Sequence, residues 1–165
     1  MSTVLVVDDD RDLRDALCGA LEESGFSAVG VADGRAALQY LKSGAPKPSL
    51  ILLDWMMPVL SGGEFREQQL QDPQIADIPV IVGGIQRLPR RKSDPYDAPF
   101  TVPARLAAAG VRFAIGNGGN SWNARNLPYQ AATAQAFGLS ADQALESITL
   151  APARILGVDD RVGSL

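Results

Sequence analysis

The chain has 165 residues, of which 46% are hydrophobic and 21% charged, and its formal net charge is -4. These values are typical of one compact soluble domain, and the acidic balance argues against nucleic acid as a direct partner. The sequence contains no histidine and one cysteine. It therefore lacks the imidazole ligands of zinc and iron hydrolases and the imidazole base of serine and cysteine triads.

The N-terminal residues, MSTVLVVDDD, do not have the charged start, long apolar run and cleavage site of a signal peptide. No apolar run in the sequence reaches the length of a membrane span. The one cysteine, Cys18, lies in DALCGALEE, which predicts a small, buried helical side chain and not a nucleophile. We therefore expect a soluble cytoplasmic protein with no membrane partner.

Four apolar runs divide the first half: VLVV (4–7), FSAVGVA (26–32), LILL (50–53) and IPVIV (78–82). Continuous apolar runs are typical of parallel strands that are covered on both faces. The segments between them have helical periodicity. The first of these helices should end at Gly25, the second should be capped by Asp33, and Ser61 with Glu64 has capping-box spacing for the third. The order is βαβαβαβ.

Acidic residues follow two of these strands. Asp8, Asp9 and Asp10 come after the first, and Asp54 comes after the third. In a sheet of order 2-1-3-4-5 strands 1 and 3 are neighbours, so the carboxylates converge at one edge. Carboxylates packed together repel unless a cation lies among them, and hard oxygen ligands suit Mg²⁺. The alternative is that Asp9 or Asp10 only caps the first helix; the addition of Asp54 favours the metal site.

The motifs VLVVDDD and LILLDWMMPVLSGGEF resemble the receiver domain of two-component response regulators, over roughly residues 3–82. The resemblance implies that Asp54 is the phosphoryl acceptor. It also implies that Asp8 and Asp9 hold Mg²⁺, directly or through water, with the backbone carbonyl of Met56 as a further ligand. Mg²⁺ would then neutralise charge on the incoming phosphoryl group.

Receivers carry two further switch residues, and this sequence lacks both. The Thr or Ser expected after strand 4 corresponds to Gly84, and the Lys expected after strand 5 corresponds to Gly116 or Asn117, in VRFAIGNGG. The charge-assisted contacts that these residues make with a phosphoryl group would be missing. We therefore expect any phosphorylation to be weak.

The second half begins with a proline-containing stretch, residues 83–100, that has no helix-length periodicity. Thr101 is predicted to cap a short helix that ends at Gly110. Strand VRFAIG (111–116), a helix over 127–137, a helix with Ser140 and Gln143 in a capping box, and a last turn, APARILG, follow. The basic run RLPRRK (87–92) and the glycine-rich GNGGN are interpreted as plain loops and not as anion sites.

The segments NLPYQAA, GLSADQALESIT and APARILGVDDRVGSL resemble the last part of an imidazolonepropionase-like amidohydrolase, which is a (βα)₈ barrel. That family uses histidine ligands and an aspartate after the eighth strand. This chain has no histidine and has AIGNGG at that place, so the metal chemistry is not carried over. We expect no enzyme activity.

Together these observations predict an α/β protein with a flavodoxin-like three-layer sandwich: a five-stranded parallel sheet in the order 2-1-3-4-5, with extra C-terminal helices. Residues 1–165 would form a single hybrid domain, receiver-derived over 1–82 and barrel-derived over 83–165, with the seam at about 77–84. Our main interpretation is a constructed chimeric scaffold with no intact natural activity and a vestigial, weak Mg²⁺ site at Asp8, Asp9 and Asp54.

The alternative is a receiver-type signalling module that binds metal and accepts a phosphoryl group on Asp54. For neither interpretation does the sequence indicate a definite partner. A newly exposed edge at strand 5 is a possible association site, so a monomer and an edge-mediated dimer both remain open.

Overall fold

A computed structural model describes residues 2–83, 95–117 and 121–164, and for residues 121–123 it describes the backbone. The chain divides into two compact units, Met1–Val80 and Ile81–Leu165. The boundary between the units lies inside the stretch 77–84 that we predicted as a seam. The origin of that seam in a chimera stays a prediction.

In the described residues, strands and helices alternate up to the fifth strand, and helices follow it. The strands are β1 (Thr3–Val7), β2 (Ser27–Val31), β3 (Leu50–Asp54), β4 (Val80–Gly83) and β5 (Phe113–Ile115). The helices are α1 (Arg11–Glu23), α2 (Gly34–Lys42), α3 (Gly62–Leu70), α4 (Val102–Ala108), α5 (Leu127–Ala136), α6 (Ala141–Glu146) and α7 (Leu150–Leu156). The sheet order is β2-β1-β3-β4-β5, which confirms the predicted fold class, including the extra C-terminal helices.

The centre of the first unit is β1, which pairs in parallel with β2 on one side and β3 on the other. Leu5 and Ile51 are fully buried, as are Ala37 of α2 and Phe65 of α3. Because both faces of the sheet are buried, the strands appear in the sequence as continuous apolar runs. It also fixes the carboxyl ends of β1 and β3 next to each other, since Val7 is in register with Leu53.

The helix starts follow the predicted capping chemistry. The carboxylate of Asp33 accepts hydrogen bonds from two amides of α2, and Ser61 and Ser140 form complete capping boxes. Asp10 caps α1, because its Oδ1 accepts the amide N–H groups of Asp12 and Leu13 at 3.0 and 3.1 Å. The capping interpretation therefore holds for Asp10 and leaves Asp8 and Asp9 for another role.

The predicted cap at Thr101 is wrong. Thr101 has helical backbone angles and makes no side-chain cap, and its hydroxyl donates to the carbonyl of Ala98 instead. The reason lies in the turns that precede it: the Thr101 amide already donates to the carbonyl of Asp97 at 3.2 Å. Because the chain is turning before Thr101, this residue is not at the extended position that a capping side chain requires.

Two strands are shorter than their apolar runs. Ile78, predicted as the start of a strand over 78–82, donates its amide to Ile75 at 3.3 Å and so belongs to the preceding turn. Val111, predicted as the start of a strand over 111–116, donates its amide to Leu106 at 3.1 Å and so closes the end of α4. Apolar side chains next to a strand can be buried without being part of it, and here Ile78 and Val111 are both buried.

The second half contains more helix than we predicted. Residues Ser121–Asn126 form a 3-10 helix in the predicted loop, and the predicted last turn is the helix α7, which Gly157 ends in the left-handed conformation. The basic run 87–92, Gly84 and residues 118–120 of the glycine-rich loop lie outside the described residues. In the part that the structure describes, no helix combines the length and apolarity needed to cross a membrane.

Two buried polar side chains of α3 hold the turn before β4. Gln69 is fully buried and donates from Nε2 to the carbonyl of Ile75 at 2.7 Å. Arg66 is 3% exposed, and its guanidinium reaches the carbonyls of Ala76 and Ile78 at 3.4 Å. Burial lowers the pKa of Arg66 to about 10, so the side chain still carries its charge at neutral pH.

These contacts predict opposite results for two substitutions. Gln69→Leu should lower the free energy of unfolding by about 1 to 3 kcal/mol, because it removes the short 2.7 Å hydrogen bond and leaves the buried Ile75 carbonyl with the longer one from the Ile78 amide, at 3.3 Å. Arg66→Met should change that free energy by less than about 1 kcal/mol or raise it, because it removes a buried charge. Urea unfolding followed by circular dichroism measures both. An equal loss in the two variants would contradict this assignment.

Candidate functional site

Asp8 lies at the carboxyl end of β1, in the connection to α1. Its amide continues the sheet by donating to the carbonyl of Val31 at 3.1 Å. Its Oδ1 accepts the amide of Asp10 at 2.9 Å, and the guanidinium of Arg14 donates to its carbonyl at 2.7 Å. Asp8 is 6% exposed, and its carboxylate is held by the amide of Asp10 while its backbone is held by Val31 and Arg14.

Asp54 is the last residue of β3 and is also 6% exposed. The amide of Met56 lies 3.4 Å from its Oδ1, so the Met56 backbone lies directly beside this carboxylate. Because β1 and β3 are neighbouring parallel strands, their carboxyl ends meet at one edge of the sheet. This arrangement brings Asp54 to the side of the sheet where Asp8 and Asp9 lie.

The structure brings the three predicted acids together. Asp8, Asp9 and Asp54 each offer a carboxylate oxygen, and these oxygens all lie within 4.8 Å of one another. Asp8 and Asp54 are buried and Asp9 is half-buried. Three negative charges at this separation repel one another strongly in a partly buried site, so the arrangement favours a bound cation.

The donor set fits Mg²⁺ better than other common ions. All three side chains offer hard oxygen atoms, and among the described residues of this cluster there is no thiolate or imidazole that would favour a softer metal. Mg²⁺ keeps several waters and takes few protein oxygens, which suits three carboxylates that are open to solvent through Asp9. The residues present therefore fit the ion that the sequence predicted.

The loop that follows Asp54 is fixed at several points. Trp55 and Met57 are 8% and 4% exposed, and the amide of Gly62 donates to the carbonyl of Trp55 at 3.0 Å. Val59, at the tip, has a φ of 67°, which a β-branched residue rarely adopts. Sequence reasoning missed this feature, because no glycine or asparagine at that position indicated a left-handed turn.

Of the two expected switch positions, Gly84 and Asn117, the structure describes only Asn117. Gly84 lies outside the described residues, so its place stays a prediction. Asn117 follows the end of β5 at Ile115, and the residue between them, Gly116, donates its amide to the carbonyl of Val82 at 2.9 Å. The end of β5 therefore carries a neutral side chain where the receiver pattern has a lysine.

Cys18 does not belong to this site. It lies in α1, is half-buried, and has a raised pKa because of burial and of the nearby charges of Glu22 and Asp15, against a lowering effect of Arg14. A raised pKa means less thiolate at neutral pH, and the thiolate is the reactive form. This agrees with the prediction that Cys18 is not a nucleophile.

Comparison with curated proteins gives matches that cover about half of the chain. It is 39% identical over 79 residues to the phosphate regulon transcriptional regulatory protein PhoB of Escherichia coli, a match that covers 48% of this chain and 34% of that protein. It is 33% identical over 90 residues to the two-component response regulator ORR11 of Oryza sativa, covering 54% and 60%. The chain thus spans about a third of the length of PhoB.

Comparison with solved structures also gives response regulator receiver proteins. The N-terminal domain of a response regulator receiver protein from Methanoculleus marisnigri superposes with a TM-score of 0.54 at 25% identity, covering 80% of this chain and 94% of that one. A response regulator receiver protein from Pseudomonas putida gives 0.53 at 26% identity, covering 69% and 84%. These comparisons lend no support to the resemblance of residues 83–165 to an amidohydrolase barrel. The family model for the response regulator receiver domain matches residues 4–87, and because this is half of the chain, the protein belongs to the response regulator receiver family.

Proposed function

We propose that this protein is a receiver-type signalling module that accepts a phosphoryl group on Asp54, with Mg²⁺ held by Asp8, Asp9, Asp54 and the backbone carbonyl of Met56. The observation that carries the proposal is the meeting of three carboxylate oxygens within 4.8 Å at the ends of β1 and β3. The module acts by being modified and not by turning over a substrate. This is the alternative of the two interpretations that the sequence left open.

The chain's own groups suit the transfer step. An Asp54 carboxylate oxygen attacks the phosphorus in line, a new oxygen–phosphorus bond forms, and the donor's bridging oxygen leaves with the electron pair of the broken bond. When bound, Mg²⁺ supplies positive charge that offsets the charge of the transferring group. The amide of Met56, 3.4 Å from Asp54 Oδ1, orients the acceptor carboxylate. Asp8 and Asp9, which precede the helix α1, would hold the ion together with Asp54.

One observation favours a second candidate, a scaffold that keeps the fold and the acidic cluster but not the signalling activity. Asn117 follows β5, and Gly84 follows β4, at the two positions where a receiver has its lysine and its hydroxyl residue. A neutral amide cannot make the charge-assisted contact that a lysine makes with an acyl phosphate. We propose for this reason that phosphorylation of Asp54 is slow or that the product is short-lived.

Acetyl phosphate with Mg²⁺, followed by intact-protein mass spectrometry, tests the proposal. We expect a mass increase of one phosphoryl group in the wild type and none in Asp54→Asn. The matched control is Asp15→Asn, an exposed aspartate of α1 whose side chain is 66% exposed; it should be modified like the wild type. Equal modification of Asp54→Asn and wild type would reject Asp54 as acceptor.

A Mg²⁺ titration separates the two candidates further. Trp55 follows Asp54 and is buried, so its fluorescence should respond to Mg²⁺ in a Trp122→Phe background. If the fluorescence response to Mg²⁺ disappears in Asp54→Asn and the wild type is not phosphorylated, the result favours the second candidate, a scaffold that retains the metal site. No response up to about 100 mM Mg²⁺, well above the range in which carboxylate sites bind divalent ions, would reject the metal site itself.

A further inference from the structure

A basic side chain of α1 supports the backbone that carries two of the acids. Arg14 is the fourth residue of α1, and its Nη1 donates to the carbonyl oxygen of Asp8 at 2.7 Å in a partly buried hydrogen bond. That carbonyl belongs to the peptide bond that joins Asp8 to Asp9. The guanidinium therefore holds the peptide between two acids of the cluster.

The stem of Arg14 lies across Gly30, in the edge strand β2. A Cβ at Gly30 would lie 3.0 Å from Cγ and 3.1 Å from Cδ of Arg14, which is closer than carbon atoms normally approach. Gly30 does not have a positive φ, so its backbone does not require glycine. The space that a side chain would take here is occupied by the stem of Arg14.

The hydrogen bond from Arg14 opposes a force that acts on the metal-free site. The carboxylate oxygens of Asp8, Asp9 and Asp54 lie within 4.8 Å of one another, and like charges at this separation repel. A displacement of the Asp8–Asp9 backbone away from β3 would relieve that repulsion. The sheet fixes the amide of Asp8, which donates to Val31 at 3.1 Å, and Arg14 fixes its carbonyl.

We propose that Arg14 is a positioning residue of the acidic site. It keeps Asp8 and Asp9 beside Asp54 when no ion is bound, so that Mg²⁺ meets carboxylates that are already assembled. A site that must be assembled during binding has a lower affinity, because part of the binding free energy is used to order its ligands. Arg14 is not itself a ligand, since a guanidinium has no acceptor atom. This inference rests on the proposed function, because it takes Mg²⁺ as the ligand.

The charge of Arg14 and its positioning role have opposite effects on a bound cation. Removal of a positive charge near three carboxylates should tighten Mg²⁺ binding, whereas loss of the support at the Asp8 carbonyl should weaken it. In about 0.5 M KCl, where the Debye length is about 4 Å, the charge effect is small. Arg14→Ala should then bind Mg²⁺ about tenfold more weakly than the wild type, because a hydrogen bond from a charged donor is lost.

Gly30→Ala tests the geometry without changing any charge. The added Cβ should displace the stem of Arg14 and lengthen its hydrogen bond to Asp8, so we expect Mg²⁺ binding to weaken by about threefold. In an Arg14→Ala background the same substitution should have no further effect, because the atoms that the Cβ would meet are gone. The Cβ would also lie 3.2 Å from Sγ of Cys18, so the pair is repeated in a Cys18→Ala background, where the loss should remain.

Arg11→Ala is the matched control. It removes the same charge from the same helix, but the side chain of Arg11 is 83% exposed and lies 3.6 Å from Asp15. Its Mg²⁺ affinity should stay within about twofold of the wild type. Titration of Trp55 fluorescence in the Trp122→Phe background measures all of these affinities, on variants whose circular dichroism shows that they are folded.

A second readout needs no metal. The amide of Asp10 donates to Oδ1 of Asp8 at 2.9 Å, so its hydrogen exchange reports the order of the connection between β1 and α1. In Mg²⁺-free protein this hydrogen should exchange about tenfold faster in Arg14→Ala than in Arg11→Ala. Equal exchange in the two variants would contradict the positioning role.

The results distinguish this inference from the proposed function. Weaker Mg²⁺ binding in Arg14→Ala and Gly30→Ala, together with faster exchange at Asp10, would support it. If Arg14→Ala binds Mg²⁺ as tightly as the wild type or more tightly, and Asp54→Asn does not bind it, the metal site stands and the role of Arg14 is rejected. If the fluorescence response persists in Asp54→Asn, the proposed function fails, and this inference fails with it.

Discussion

Replacing Asp9 with asparagine should weaken Mg²⁺ binding by about thirtyfold or more. Two unit charges about 4 Å apart interact by about 1 kcal/mol even in bulk water, and the double charge of Mg²⁺ makes the loss about 2 kcal/mol. The substitution changes little in shape. The effect therefore comes from the charge and from one lost oxygen ligand. Titration of Trp55 fluorescence in the Trp122→Phe background measures it.

The same substitution should have the opposite effect on the metal-free protein. Asp8, Asp9 and Asp54 offer oxygens within 4.8 Å of one another, so removal of one charge relieves repulsion with two others. Since Asp9 is half-buried and partly screened, we expect the free energy of unfolding to rise by about 1 kcal/mol without Mg²⁺. With Mg²⁺ in excess the wild type gains stability by binding, and the variant does not. Urea unfolding with and without the ion should show this reversal.

Asp10→Asn is the matched control for both measurements. It removes the same charge from the adjacent residue, but Asp10 caps α1, and asparagine caps helices about as well as aspartate. Its Mg²⁺ affinity should stay within about threefold of the wild type, since Asp10 lies outside the group of three. If Asp10→Asn weakened Mg²⁺ binding as much as Asp9→Asn did, the effect would be one of general charge and not of a ligand.

The sequence was sufficient to predict the fold and the acidic cluster for a simple physical reason. Strands that are buried on both faces appear as continuous apolar runs, and the residue after each run must lie at the carboxyl end of the sheet. This pattern alone placed Asp8 and Asp54 at the same edge of the sheet, before any interatomic distance was known. Asp33, Ser61 and Ser140 were equally visible, because a cap depends on a side chain that contacts amides only two or three residues away.

The features that were missed depend on backbone contacts that no side chain indicates. Thr101 is a good capping residue by type, but the turn before it already donates from its amide to Asp97. Val59 is a poor residue for a left-handed turn by type, yet the hydrogen bonds of Gly34 and Gly62 fix the loop in that conformation. In both places the tertiary structure overrides local preference.

Gly62→Ala should be among the most destabilising single methyl additions in the first unit. Gly62 begins α3, and an added Cβ would lie 2.7 Å from the carbonyl oxygen of Asp54 and 2.8 Å from Cα of Trp55. Both are backbone atoms and cannot rotate away. We expect the free energy of unfolding to fall by about 3 kcal/mol, the upper part of the range for overpacking, which is a large part of the 5–15 kcal/mol of a typical domain. Urea unfolding measures this loss.

Gly19→Ala is the control that isolates the effect of space. Gly19 lies within α1, and a Cβ there would meet nothing within 4 Å. Gly19→Ala should therefore raise the free energy of unfolding by about 0.5 to 1 kcal/mol, because alanine has the higher helix propensity. The free energy of unfolding should therefore fall in Gly62→Ala and rise in Gly19→Ala, although both substitutions add one methyl group.

Because the backbone that must move at Gly62 belongs to Asp54 itself, Gly62→Ala should also reduce phosphorylation in molecules that remain folded. Equal stability of Gly62→Ala and wild type would mean that α3 and the end of β3 are not packed as closely as described, and the fixed position of Asp54 would then lose its main structural support.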